Sequence, residues 1–111
     1  MAKDSRLDLL QGTLDLLILR MLQAGPQHGW AVSERIQQVS GDILQVNQGS
    51  LYPALHRMEQ SGWIQSEWAL TETNRKAKYY KLTAQGRRQL REAEESFDQL
   101  VKGVRAVLRY A

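Results

Sequence analysis

Apolar residues are densest near the start of the chain. Between Leu7 and Ala24 they occupy more than one side of a helix, which predicts a first helix covered on two sides. In a chain of only 111 residues the second cover would be another subunit. Gly25 and Pro26 should end this helix, because glycine accepts a left-handed cap and proline lacks the amide for a further turn.

Two shorter helices are predicted next, over 28–40 and 50–60. One buried face of the second helix is marked by Val32, Ile36 and Val39. Ser50 is expected to cap the third helix, with Pro53 in the first turn, where a missing amide is harmless. The inward stripe of this third helix is Leu51, Leu55 and Met58.

The pattern then alternates, with a period of two from Ile64 to Leu70, and a second strand-like run follows over 77–82. The polar segment 71–76 between them predicts the tip of a β-hairpin. Three helices followed by a hairpin is the layout of a winged helix, in which the third helix enters the major groove of DNA and the hairpin contacts the adjacent backbone.

Thr83 should cap a last helix that extends nearly to Tyr110. Its apolar positions have coiled-coil-like spacing, and they are Leu90, Phe97, Val101, Val104 and Leu108. This predicts a seam against a second chain, and not a helix that packs back on its own domain. The expected fold is therefore mainly α with a two-stranded β-hairpin: a winged helix-turn-helix domain over 1–83 and a long C-terminal dimerisation helix over 84–111.

Composition and charge narrow the function. Without cysteine, disulfides and thiolate-bound metals are excluded, which suits a reducing cytoplasm. The longest apolar stretch, 14–22, is too short and too charged for a membrane span, so we expect a cytoplasmic protein with no membrane partner. The net charge of +3 is modest, but the segment from Arg75 to Arg91 contains seven bases and no acid.

Candidate DNA contacts lie outside the inward stripe of the third helix and in the hairpin. Hydroxyl, amide, imidazole and guanidinium groups match base edges and phosphates, and amides at a helix N-terminus favour phosphate. The helix candidates are Asn47, Gln48, Gly49, Ser50, Tyr52, His56 and Arg57, and the hairpin candidates are Arg75, Lys76 and Lys78. The alternative is that these residues form an ordinary solvated face. Their place beside a cationic hairpin favours double-stranded DNA as the partner.

Other chemistry has little support in the sequence. His28 and His56 lack further ligand-type residues at metal-binding spacing, although His56 is three residues from Glu59. There is no glycine-rich phosphate loop, serine elbow or convincing pair of carboxylates. We therefore expect no metal, no cofactor and no enzymatic activity.

Several stretches resemble the PadR family of bacterial transcriptional regulators. They are 12–22, 25–30 (GPQHGW), 47–59 (NQGSLYPALHRME), 62–64 and 77–83 (AKYYKLT) with Gly86. The resemblance covers nearly the whole chain, and the blocks 47–59 and 77–83 are specific motifs. The chain departs from the family at Asn74, in a wing tip where glycine commonly sits, although asparagine also tolerates a left-handed turn. It resembles the short branch of the family, with one terminal helix.

The resemblance implies a homodimeric repressor on a pseudo-palindromic operator. The last helix would cross the first helix of its partner, so that the dimer interface comprises Leu10, Leu14, Leu90, Phe97, Val101, Val104 and Leu108. Asn47 to Tyr52 with His56 and Arg57 would form the operator-recognition element, and Arg75, Lys76 and Lys78 the wing contacts.

Two alternatives stay open. Ligand-responsive members of the family bind effectors between their terminal helices, and by resemblance Phe97 is a candidate for stacking on a small planar aromatic effector, as in a multidrug sensor. We favour Phe97 as a dimer-core residue, because aliphatic neighbours could fill that space. The other alternative is a winged-helix module that binds a protein instead of DNA.

Overall fold

The computed structural model describes residues 11–111 of the chain. In chain order the elements are α1 (Gln11–Leu22), β1 (Gln27–His28), α2 (Gly29–Val39), α3 (Gln48–Gln60), β2 (Ile64–Leu70), β3 (Lys76–Leu82) and α4 (Ala84–Leu108). The three strands form one antiparallel sheet with β3 in the middle. A mainly α fold with a β-hairpin is therefore confirmed, and the sheet has one strand more than predicted.

The extra strand, β1, joins the turn after α1 to the base of the hairpin. Gln27 pairs with Tyr80 and His28 pairs with Tyr79. The Gln27 side chain also donates to the carbonyl of Met21, at 2.7 Å. Two residues are too few to produce an alternating pattern, which is why the sequence did not reveal this strand.

The core lies between α1, α2, α3, the inner end of the hairpin and the start of α4. Its buried residues are Leu14, Leu16, Ile18, Leu19, Leu22, Val32, Ile36, Leu51, Ala54, Leu55, Met58, Ile64, Tyr80, Leu82 and Leu90. The prediction for α2 is right at Val32 and Ile36 but wrong at Val39, which is 70% exposed. The last turn of α2 therefore extends beyond the core.

α3 begins two residues earlier than predicted. Asn47 is its N-cap, and the side-chain oxygen of Asn47 accepts a hydrogen bond from the Ser50 amide at 2.9 Å. The expectation that Ser50 caps the helix is wrong because Asn47 already occupies that role. Pro53 consequently lies inside the helix, beyond the first turn. At the other end Gly62, with φ of 82°, turns the chain into β2.

α4 begins as predicted at Thr83, whose hydroxyl accepts from the Gly86 amide at 2.9 Å and donates to the Gly62 carbonyl at 2.7 Å. The expectation that α4 does not pack on its own domain is wrong for its first part. Leu90 is only 3% exposed and belongs to the core, which also contains Leu14 at 4%. Both residues were predicted to contact a partner chain, and the fold leaves them little surface for that. Leu10 lies outside the described residues.

Candidate nucleic-acid interface

α3 has one side in the core and one side in solvent. Burial of Leu51, Leu55 and Met58 fixes its orientation. The predicted contact residues on its solvent side are exposed, and they are Asn47, Gln48, Gly49, Ser50, Tyr52 and His56. Because the Asn47 oxygen serves the helix cap, its amide NH2 group is what can donate to another molecule. α3 thus presents a row of hydrogen-bonding groups.

Arg57 differs from the other candidates on α3, because it is held by the first helix. Its guanidinium forms an ion pair and hydrogen bond with the Asp15 carboxylate, and its side chain is 37% exposed. A guanidinium has five N–H donors, so this pairing occupies part of the group. Arg57 therefore braces α3 against α1, which the sequence analysis did not anticipate.

Glu59 connects α3 to the hairpin. Its carboxylate accepts a hydrogen bond from the Ser66 hydroxyl, and it lies 3.8 Å from the Lys78 ammonium. Burial raises the pKa of the nearby Tyr80 phenol, and the charges of Glu59 and Tyr52 raise it further. Lys78, a predicted wing contact, is therefore half-buried and faces a carboxylate of its own chain.

The hairpin tip supplies the more accessible cations. The Thr71 amide donates to the Arg75 carbonyl at 2.8 Å, and the Asn74 amide donates to the Thr71 carbonyl at 2.9 Å. Asn74 has φ of 62°, so the expected left-handed turn at this residue is present. Arg75 and Lys76 are both exposed. We call β2, this tip and β3 the wing.

The fold brings the wing and α3 to a shared groove. Tyr52 from α3 and Lys76 from the wing line this groove together with Trp30 and Trp68. Neither tryptophan was predicted from the sequence to be a contact residue. The alternation along β2 could have identified Trp68, because Trp68 is in phase with Ile64 and so belongs to the core-facing side of the wing.

The second half of α4 carries an exposed apolar face. Phe97, Leu100, Val104, Val107 and Leu108 are between 39% and 77% exposed. Val101 is half-buried. Leu100 and Val107 were not predicted, although they belong to the same face, since Leu100, Val104, Val107 and Leu108 line one apolar groove with Gly103. Nothing in residues 11–111 covers this apolar face.

Phe97 also borders an open cavity of about 440 Å³ between α1 and α4. Trp63 and Leu16 contribute apolar walls, and Asp15 and Ser96 contribute polar groups. The residue expected to stack on a flat effector thus shares this cavity with a second aromatic side chain, Trp63. The cavity has room for a small aromatic molecule.

His28 has a structural role. Its Nδ1 accepts from the Ala31 amide at 3.3 Å, which caps α2, and its ring meets Tyr79 edge-on at 5.6 Å. Within residues 11–111, no three His, Asp or Glu side chains are grouped so that they could hold a metal ion. None of the helices in this range is long and apolar enough to cross a lipid bilayer.

Three helices, a wing with a cationic tip and a polar row on the third helix define a winged helix-turn-helix protein. Residues 18–92 match the model of the transcriptional regulator PadR-like family. The chain therefore belongs to the PadR-like family of transcriptional regulators, which is a family of regulators and not of enzymes.

Individual relatives agree with this assignment. A PadR family transcriptional regulator from Eggerthella lenta has a solved structure with a TM-score of 0.79 and 32% identity, covering 91% of this chain and 86% of that one. A transcriptional regulator from Clostridium thermocellum has a TM-score of 0.79 and 26% identity, covering 86% of this chain and 93% of that one. The transcriptional regulator Rv3488 of Mycobacterium tuberculosis is 34% identical over 68 residues, which are 61% of this chain and 63% of that protein.

Proposed function

We propose that this regulator binds operator DNA in a sequence-specific manner as a homodimer and represses transcription. The observation that carries the proposal is the groove shared by Tyr52 of α3 and Lys76 of the wing. A helix with hydrogen-bonding groups can contact base edges in the major groove, while cations beside it contact the phosphate backbone. Repression, by blocking polymerase at the operator, is inferred from family resemblance. Because its target would be chromosomal DNA, its proposed location is the cytoplasm.

Local charge supports the same partner. Arg75 and Lys76 are exposed at the wing, whereas Lys78 faces Glu59 and Arg57 faces Asp15. Cations without an acidic neighbour gain most from a phosphate, because they release counterions of the DNA without first breaking an internal ion pair. Arg75 and Lys76 are therefore the proposed principal phosphate contacts of the wing.

The dimer is proposed from the apolar face of α4. Leu100, Val104, Val107 and Leu108 project from the helix without cover from residues 11–111. An exposed apolar helix face of this length is a recognised mark of association. A second copy would bury it and hold two α3 helices about 34 Å apart, the spacing of successive major grooves. Of the dimer-interface residues predicted from the sequence, Phe97, Val101, Val104 and Leu108 remain as proposed contacts.

A second role, effector binding, is favoured by the cavity beside Phe97. The pair Phe97 and Trp63 offers apolar walls, and the Asp15 carboxylate offers an acceptor. A small planar aromatic molecule would fit these groups. Titration with such molecules should quench tryptophan emission in the parent protein and fail to do so in Phe97→Ala. Unchanged quenching in that variant would place the ligand elsewhere.

DNA binding is tested by selecting bound sequences from a random duplex pool. The affinity for the most enriched duplex is then measured as a function of salt concentration. Replacing both Arg75 and Lys76 with Glu should weaken nonspecific duplex binding by about 100-fold and lower the salt slope of the dimer by about four, two for each subunit. The matched control replaces Arg87 and Arg88 with Glu, which changes the net charge equally on exposed residues of α4.

The two double variants separate the explanations. A large loss for the wing variant and a small loss for the α4 control would support local phosphate contacts. Equal losses would mean that net charge alone governs binding. A parent protein that enriches no sequence and binds no duplex in dilute buffer would contradict the proposal and favour a protein-interaction module.

A further inference from the structure

Three exposed aromatic residues line the groove between α3 and the wing. Trp30 lies in the first turn of α2, Tyr52 in α3 and Trp68 in β2, and they are 45%, 45% and 64% exposed. Large aromatic side chains normally lose most of their surface in a folded domain. Residues 11–111 leave these three open together, in a groove that Lys76 also lines. We call this surface the aromatic groove.

Strand register explains why Trp68, Lys76 and Lys78 face the same way. Trp68 is opposite Lys78, and Leu70 is opposite Lys76. Directly opposed residues of antiparallel strands project from the same face of the sheet. Nearer the base of the wing this face is apolar and buried, because Ile64 lies opposite Leu82 in the core. From the outer part of the same face, Trp68, Lys76 and Lys78 line the aromatic groove.

The place of the aromatic groove within the fold indicates what could occupy it. When a helix enters the major groove of DNA and a wing reaches toward the adjacent minor groove, one sugar–phosphate strand lies between them. That strand alternates apolar deoxyribose edges with anionic phosphates. The aromatic groove offers apolar surfaces at Trp30 and Trp68 and a cation at Lys76. Lysines at its edge also disfavour a cationic ligand.

We propose that the aromatic groove seats the sugar–phosphate strand that separates the two grooves of the operator. Deoxyribose rings pack on Trp68 and Trp30, and Lys76 binds the intervening phosphate. This inference rests on the proposed function, and it adds two apolar residues to an interface otherwise made of polar and cationic groups. Trp68 has the larger effect of the two, because it is the more exposed in the unbound chain.

The test compares variants on a mixed-sequence duplex of about 30 base pairs, long enough for two half-sites one helical turn apart. Affinity is measured at several salt concentrations. Trp68→Ala should lower affinity roughly tenfold at every salt concentration and leave the salt slope unchanged, because apolar contacts release no counterions. Lys76→Ala should lower the salt slope of the dimer by about two, one for each subunit. Trp68→Phe should retain most of the affinity, because a flat apolar ring remains.

Val39→Ala is the matched control, since Val39 is exposed and apolar but does not line the aromatic groove. It should bind like the parent chain. Equal thermal unfolding of Trp68→Ala and the parent would confirm that the loss does not come from misfolding. A second measurement uses Trp30→Phe together with Trp63→Phe, which leaves Trp68 as the sole tryptophan; its emission should change when duplex is added.

Several results would overturn the inference. If Trp68→Ala binds the duplex like the parent and the sole-tryptophan emission does not change, the strand is not seated there, although DNA binding itself would stand. If, in the absence of DNA, the oligomeric state of Trp68→Ala differs from that of the parent, the aromatic groove is a contact between protein chains. Tighter binding of the single strand than of the duplex would indicate stacking of bases instead. A parent that binds no duplex at all would remove this inference together with the proposed function.

Discussion

Gly86 occupies the closest approach between α4 and the start of the wing. A Cβ added at this position would lie 2.0 Å from the carbonyl oxygen of Trp63 and 2.9 Å from its carbonyl carbon. The same carbonyl accepts a hydrogen bond from the Thr83 amide at 3.1 Å. Since the obstacle is backbone, it cannot move aside by a change of rotamer. Gly86→Ala must therefore push the first turn of α4 away from β2.

The expected destabilisation follows from three contributions. Overpacking a core contact costs about 1–3 kcal/mol. Displacing α4 weakens the hydrogen bonds of Thr83 to the carbonyls of Gly62 and Trp63, at about 1 kcal/mol each. Alanine improves helix propensity by about 1 kcal/mol. The net loss in the free energy of unfolding is about 2–4 kcal/mol, or on the order of 10–25 °C in Tm.

Gly103→Ala is the matched control, because it makes the same change in the same helix. Gly103 also borders the apolar groove of the proposed dimer face, so only a change that is independent of protein concentration is assigned to helix propensity. A Cβ at Gly103 meets nothing within 4 Å in the described part of the chain, so the variant should gain about 0.5–1 kcal/mol from helix propensity. Both variants are compared with the parent by urea unfolding at several equal protein concentrations, since association shifts the apparent stability. A Gly86→Ala midpoint equal to or above that of the parent would refute the close-contact reasoning.

Three further predictions concern Glu59, Val104 and Tyr80. Glu59→Gln should cost up to about 1 kcal/mol in urea unfolding, because the pair with Lys78 is partly exposed, and should tighten nonspecific DNA binding by removing a negative charge beside the wing. Val104→Glu should yield monomers or insoluble protein in light scattering, whereas Val39→Glu, also at an exposed position, should remain dimeric. The raised pKa of Tyr80 predicts that stability falls above pH 10.0, where the unfolded phenol ionises first, and that Tyr80→Phe shows a smaller fall in urea midpoint between about pH 9 and 11.

Local patterns predicted much of the fold because the forces behind them act over a few residues. The alternation from Ile64 to Leu70 predicted the bounds of β2 correctly, and Thr83 was correctly identified as the cap of α4. The cap of α3 was missed for an equally local reason. Asn47 and Ser50 are both good capping residues, and which one acts depends on where the preceding loop enters the helix.

Long-range packing set the limits of the prediction. The spacing of apolar residues along α4 does not tell which of them face the chain's own core, so Leu90 was assigned to a partner although it packs in the same core as Leu14. The spacing of apolar residues identifies one face of the helix. Only the tertiary arrangement shows which part of that face packs on the chain's own core and which part is left for a partner subunit. The same limit concealed the aromatic groove, whose side chains come from α2, α3 and β2.

Charge illustrates this limit most directly, because a count of cations does not reveal which of them already have a carboxylate beside them. The pair of Arg57 with Asp15 joins residues 42 positions apart, and Lys78 meets Glu59 across the boundary between α3 and the wing. The sequence predicted three wing cations, whereas within residues 11–111 neither Arg75 nor Lys76 forms an ion pair. Since each phosphate contact contributes about 0.9 to the slope of log affinity against log salt, the two wings of a dimer should together contribute about four. A contribution nearer five would mean that DNA displaces Glu59 from Lys78 in both subunits.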